Sequence, residues 1–134
     1  MIYLDTSAAA KLFLPESGTE RVKGYLRSGE TIVSSALLRT ELIRTLVRSL
    51  DSVVEHTLIP DYVDALLPAI TLISVSDPIL SQSEGILGHS KTLDALHIAT
   101  ALSVNSPGDP VKVLTFDKNF AACAKRCGFD VLET

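Results

Sequence analysis

Cysteine is scarce in this sequence: Cys123 and Cys127 are the only two. Two thiols four residues apart, with no histidine beside them, do not make a structural zinc site, and they read as small, buried, reduced side chains. Long apolar runs are also missing. No stretch approaches the roughly 20 residues needed to span a bilayer. The chain starts directly on Ile2-Tyr3-Leu4, without the basic region and apolar core of an export signal. A soluble cytoplasmic protein is the expectation. Nor is there an excess of basic residues. A formal net charge of −4 argues against nucleic-acid binding across the whole surface, while leaving room for a local basic rim. There is no P-loop, no Gly-rich dinucleotide turn and no Ser-His-Asp grouping. Internal repeats, low-complexity tracts and linkers are absent as well.

What is present suits one globular domain spanning 1–134. The length is near the usual domain size, and 46% apolar residues can fill a core. Five short segments rich in Val, Ile, Leu and Phe read as strands: 2–4, 31–34, 71–75, 112–115 and 130–132. Helical stretches lie between them, at 7–13, 19–27, 36–50, 52–70, 77–87, 93–104 and 120–127. Pro15, Ser17 and Gly18 mark a turn. Leu38, Leu42, Leu46 and Leu50 give 36–50 one apolar face. Pro60 suits the first turn of a new helix within 52–70, and Gly128 suits the C-terminal cap of the last one. The stretch 93–104 is apolar on nearly every face and should be buried. Alternation of strand and helix implies a parallel sheet covered on both faces. Ligands of such sheets bind beyond the carboxyl ends of the strands.

Four acidic residues interrupt this pattern. Asp5 ends the run Ile2-Tyr3-Leu4, and Asp117 follows Val113-Leu114-Thr115-Phe116. Asp94 breaks Leu93–Ala99, and Glu41 sits early in an amphipathic helix. Lone buried carboxylates are costly, so they are paired, hydrogen-bonded or bound to a cation. Glu41 alone has an obvious cationic partner on its own predicted helix, Arg44 three residues on. Each also has a purely structural reading. Asp5 could cap a helix, although Thr6 and Ser7 are better placed to do so. Glu41 could pair with Arg44 on the surface. Asp94 could sit in the first turn of a helix capped by Ser90 or Thr92, and Thr115 or Asp117 could cap the last helix. His97, three residues after Asp94, reads as a hydrogen-bonded core histidine. A shared Mg²⁺ or Mn²⁺ would account for all four acids at once, since hard cations take oxygen ligands.

The order and setting of these acids resemble the PIN-domain nucleases, specifically the VapC-type toxins of type II toxin–antitoxin modules. The resemblance is carried by Ile2-Tyr3-Leu4-Asp5-Thr6-Ser7, by Thr40-Glu41-Leu42, by the run from Thr92 to Ala101, and by Leu114-Thr115-Phe116-Asp117. It implies a five-stranded parallel sheet of order 3-2-1-4-5 with helices on both faces. It also implies a Mg²⁺- or Mn²⁺-dependent endoribonuclease, homodimeric within a larger complex and inhibited by a VapB-type antitoxin. Asp5, Glu41, Asp94 and Asp117 would then be the acidic quartet, with Thr6 and Thr115 as supporting hydroxyls. Pro60, Pro68 and Ser83-Glu84-Gly85 depart from the family pattern, at the expected substrate or dimer surface.

Arg39, Arg44 and Arg48 share the helix of Glu41. They read either as a solvated face or as contacts for RNA phosphates or an acidic antitoxin segment. Two rival functions remain at this point. A receiver-like signalling domain would need an acidic pair after the first strand and a phosphoacceptor after the third, where only Asp77 stands. A non-catalytic PIN-like module would act by binding alone.

Overall fold

The computed structural model describes residues 1–14 and 16–132; of the expected turn, Pro15 lies outside the described residues, while Ser17 and Gly18 do form a turn. The strands are β1 (Ile2–Leu4), β2 (Ile32–Ser35), β3 (Thr71–Ile73), β4 (Lys112–Leu114) and β5 (Asp130–Leu132). They form one parallel sheet of order β3-β2-β1-β4-β5, as expected. Leu4 pairs with Leu114, so β1 and β4 end level with each other.

Alternate residues of each strand enter different cores, because successive side chains point to opposite faces of a sheet. Ile2, Leu4, Ile32 and Leu114 pack with α1 (Thr6–Ala10), α3 (Leu37–Ser49) and α4 (Val53–Leu66), through Ala8, Ala9, Leu38, Leu42, Leu46, Ile59 and Val63. Tyr3, Val33 and Val113 pack instead with α6 (Thr92–Val104) and α7 (Lys118–Arg126), through Ile98, Ala101, Phe120, Cys123 and Ala124. The short α2 (Thr19–Leu26) adds Val22 to the first core, and α5 (Asp77–Glu84) lies against α6. Both faces are therefore dry, which is why the strands read as apolar runs rather than alternating ones.

Several local expectations are corrected. Pro60 does not begin a helix: α4 runs through it, and the first turn is made by Ser52, whose hydroxyl accepts from the Glu55 N–H. Proline removes one internal N–H donor but does not force a break when the flanking turns are held by packing, and here Ile59 and Val63 are buried on either side of it. Pro68 lies in a 3-10 turn, Leu67–Ala69, that closes this segment. Helix α1 is shorter than expected, ending at Ala10. Helix α6 is buried only from His97 to Ala101, and Leu93 stands exposed at its start. Cys127 is only partly buried, while Cys123 is buried. Gly128 follows α7 at φ 88°, the left-handed value that favours glycine just past a helix end. Among the described residues, no helix is long and apolar enough to cross a membrane.

Candidate active site

The level ends of β1 and β4 set the site. The Asp5 N–H donates to the Leu114 carbonyl at 3.1 Å, placing the acid directly beside Thr115. Its carboxylate accepts from the Ser7 hydroxyl at 2.6 Å, the Thr115 hydroxyl at 2.8 Å and the Ser7 N–H at 3.2 Å, all at Oδ2. The last of these makes Asp5 itself the N-cap of α1, contrary to the expectation that Thr6 or Ser7 would cap. Ser7 Oγ also accepts from the Phe116 N–H at 2.9 Å, and Thr115 Oγ1 accepts from the Asp117 N–H at 3.0 Å. A hydroxyl network thus ties the two strand ends together.

Asp117 caps α7, accepting from the Asn119 and Phe120 N–H groups at 2.7 and 3.0 Å. Asp94 is the third residue of α6. The N-cap there is Lys91, rather than Ser90 or Thr92, and its nearby backbone favours the charged Asp94 carboxylate. Three aspartates therefore sit at or near helix N-termini, where the helix dipole favours negative charge, and backbone amides hold two of them, Asp5 and Asp117. Asp5 and Asp117 are thus helix caps as well as residues of the same sheet edge.

Glu41 is different. It lies in the second turn of α3 and meets His97, with Oε1 against Nε2, rather than forming the surface pair with Arg44. On the other side of the ring, His97 Nδ1 is 2.6 Å from the Tyr3 hydroxyl, which in turn accepts from the Ser35 N–H at 3.1 Å. Burial holds the Tyr3 phenol well above its ordinary value. Burial alone would push the His97 imidazole down. The hydrogen bond and charge of Glu41, with Asp5 and Asp94 farther off, outweigh it and leave the group above the ordinary histidine value.

All four acids line one open cleft of about 530 Å³, whose walls also carry Thr6, Ser7, Thr45, Arg48 and Lys91. Burial holds the Asp94 carboxyl above the ordinary carboxylate value, and the charges of Asp117 and Asp5 add to it, against the lowering effect of the Lys91 backbone. Among the described residues, no three His, Cys, Asp or Glu side chains are already gathered tightly enough to hold one ion. The donor chemistry nevertheless fits a hard divalent cation. The groups facing the cleft are carboxylate and hydroxyl oxygens, and the buried Thr6 Oγ1 has no hydrogen-bond partner among the described residues.

The three arginines divide. Arg39 is engaged by Asp64 of α4 through a fork of 2.8 and 3.2 Å and does not line the cleft. Arg48 lines the cleft, and Arg44 lines an adjoining groove with Thr40, Thr45 and Leu93. Sequence reasoning missed Lys91 and the network role of Ser7. Lys91 carried no signal beyond lying three residues before Asp94. Ser7 was visible in Asp5-Thr6-Ser7, but nothing there distinguished it from Thr6.

A family model for the PIN domain matches residues 2–126. The chain belongs to the PIN-domain family. Within that family it is 33% identical, over 132 residues, to ribonuclease VapC46 of Mycobacterium tuberculosis, covering 98% of this chain and 95% of the relative. The solved structure of VapC20 from Mycobacterium tuberculosis, described as a toxin cleaving the sarcin–ricin loop, superposes with a TM-score of 0.73 at 18% identity, over 100% of both chains. VapBC2 from Rickettsia felis, solved on a fragment of its promoter DNA, gives 0.70 at 16% identity, over 99% of this chain and 98% of that one.

Proposed function

We propose that this protein is a VapC-type, divalent-metal-dependent endoribonuclease, the toxin of a type II toxin–antitoxin pair, acting in the cytoplasm. The observation that carries the reading is the convergence of Asp5, Glu41, Asp94 and Asp117, from four separate elements, on one cleft. In this reading the four carboxylates hold Mg²⁺ or Mn²⁺. When bound, such an ion neutralises charge on the phosphoryl oxygens and lowers the pKa of water. The chain's own residues do the rest. Ser7 and Thr115 fix the Asp5 carboxylate, and the Asn119 and Phe120 amides fix that of Asp117. Arg48 and Lys91 supply positive charge on the cleft walls to hold an RNA phosphate, and the Thr6 hydroxyl lies buried.

The physiological partner in this reading is a VapB-type antitoxin, bound to a toxin homodimer and covering the cleft. Purified protein should cut susceptible RNA with Mg²⁺ or Mn²⁺, lose activity in EDTA, and leave 5′-phosphate ends. Products ending in 2′,3′-cyclic phosphate would mark attack by the ribose hydroxyl and refute the hydrolytic reading. Metal-replete protein that binds RNA without cutting it would favour the non-catalytic module. The receiver-like reading is set aside by strand order, since receivers use 2-1-3-4-5 and this sheet is 3-2-1-4-5.

A further inference from the structure

We infer that His97 is a positioning residue: a buried imidazole clamped between Tyr3 and Glu41 that holds the Glu41 carboxylate in place for the metal. The inference rests on the metal reading of the cleft. Its starting point is the difference between Glu41 and the three aspartates. Asp5 and Asp117 cap helices, where unused backbone amides hold them, and Asp94 sits in the first turn of α6. Glu41 lies in the second turn of α3, where the amides already serve the helix. Its side chain is also one rotatable bond longer, so fixing it costs more conformational freedom. A donor from elsewhere must do what the caps do for the others, and His97 comes from α6, 56 residues away.

A core-filling role for His97 explains less. The ring is 2% exposed and packs edge-on against Tyr3 and Phe120. An apolar side chain could fill that space without a buried nitrogen to satisfy. Instead, both ring nitrogens are engaged. Nδ1 is held by a tyrosine whose oxygen is itself fixed by the Ser35 amide, so the ring cannot turn without breaking bonds at both ends. Nε2, facing a carboxylate oxygen, carries the proton and donates to it. The chain Ser35–Tyr3–His97–Glu41 runs from β2 through β1 and α6 to the cleft wall on α3. Hydrogen-bond partners of metal-ligating groups typically change metal affinity by about 10–100-fold when removed.

The test is Mn²⁺ binding to the intact chain, followed by the electron paramagnetic resonance of free Mn²⁺. Asparagine places its amide near Nδ1 only, whereas glutamine extends to the position of Nε2. His97→Asn should weaken Mn²⁺ binding by about tenfold or more, and His97→Gln should restore most of the loss. In a Glu41→Gln background, His97→Asn should subtract nothing further. Unchanged affinity in His97→Asn, equal losses in both variants, or an undiminished loss in the Glu41→Gln background would each overturn the role. Wild-type protein that binds no Mn²⁺, or Asp5→Asn protein that binds it as well as wild type, would overturn the metal reading and this role with it. Should circular dichroism show that the His97 variants do not fold, the wild-type ¹⁵N spectrum decides. Saturating Mg²⁺ should shift the His97 Nε2 resonance, and an unmoved resonance would overturn the role.

Discussion

At the end of the sheet where the strands begin, Glu30 accepts from Lys112 and from the Met1 amine, both at 3.2 Å, and Asp109 accepts from the same amine at 2.9 Å. At the end where the strands finish, four carboxylates face one cleft, held by backbone amides, hydroxyls and one imidazole. The residue types are alike at the two ends. The first cluster is neutralised by the chain's own cations, as surface charges usually are. The second is oriented by dipoles and left with negative charge to spare. A group of acids becomes a candidate site when its hydrogen bonds fix it in place without cancelling its charge.

The comparison breaks most sharply under charge removal. Asp5→Asn, Asp94→Asn or Asp117→Asn should each lower RNA cleavage by at least about a hundredfold. Glu30→Gln should leave cleavage unchanged. Equal effects at the two ends in a gel-based RNA cleavage assay would erase the distinction.

Metal should separate the ends next. At about 100 times its dissociation constant, a bound ion adds roughly 2.7 kcal/mol of stability, a rise of several degrees in Tm. The rise should appear in wild type and Glu30→Gln on adding Mg²⁺ or Mn²⁺, and disappear in Asp94→Asn. Differential scanning calorimetry reads it directly.

In metal-free protein the two ends should differ in the sign of their pH dependence. Burial, with Asp117 and Asp5, keeps the Asp94 carboxyl above its ordinary value, so the native state holds that proton more tightly than the unfolded chain. Stability is then lost as pH rises from the ordinary value through the raised one, and Asp94→Asn should raise Tm at neutral pH. Lys112 and the Met1 amine hold Glu30 below its ordinary value. The stability from that group is present above the ordinary value and lost as pH falls through the lowered one. Glu30→Gln should therefore lower Tm slightly at neutral pH, with the difference closing in acid. Tm measured from pH 3 to 7 in EDTA checks both signs.

The smallest expected effect concerns the cleft rim. Arg44→Ala/Arg48→Ala should weaken RNA binding at low salt and reduce the salt slope by about one unit per lost phosphate contact, with Mn²⁺ affinity little changed. An unaltered slope would return both arginines to a solvated helix face. Arg39→Ala should leave the slope alone, because Arg39 is held by Asp64.

Strand positions were legible from local apolar pattern, whereas the sheet order came from the family resemblance and the grouping of the four acids from that resemblance and the cost of lone carboxylates. Asp5 and Asp117 had to fall at strand ends once β1 and β4 were placed. Spacing along the chain says which face of an element a residue occupies, but not what packs across from it. That is why Glu41 was matched with Arg44, its neighbour on the helix, rather than with His97 from α6, and why Asp64 was not foreseen as the partner of Arg39. Pro60 misled because its local preference for a first turn was overridden by the packing of Ile59 and Val63. Ser7 and Thr6 were indistinguishable until backbone geometry turned one hydroxyl into the strand-end network and left the other buried without a partner among the described residues.

Two of the four acids, Asp5 and Asp117, also act as fasteners for the helices behind them, so an inert version of this protein that spares those helix ends is best made at Glu41. Replacing Asp5 or Asp117 with a residue that cannot accept hydrogen bonds loosens α1 or α7 along with the cleft. Glu41→Gln frees no helix end and keeps an oxygen for His97 to meet. For trapping uncut RNA or an antitoxin on an undisturbed scaffold, Glu41 is the position to change.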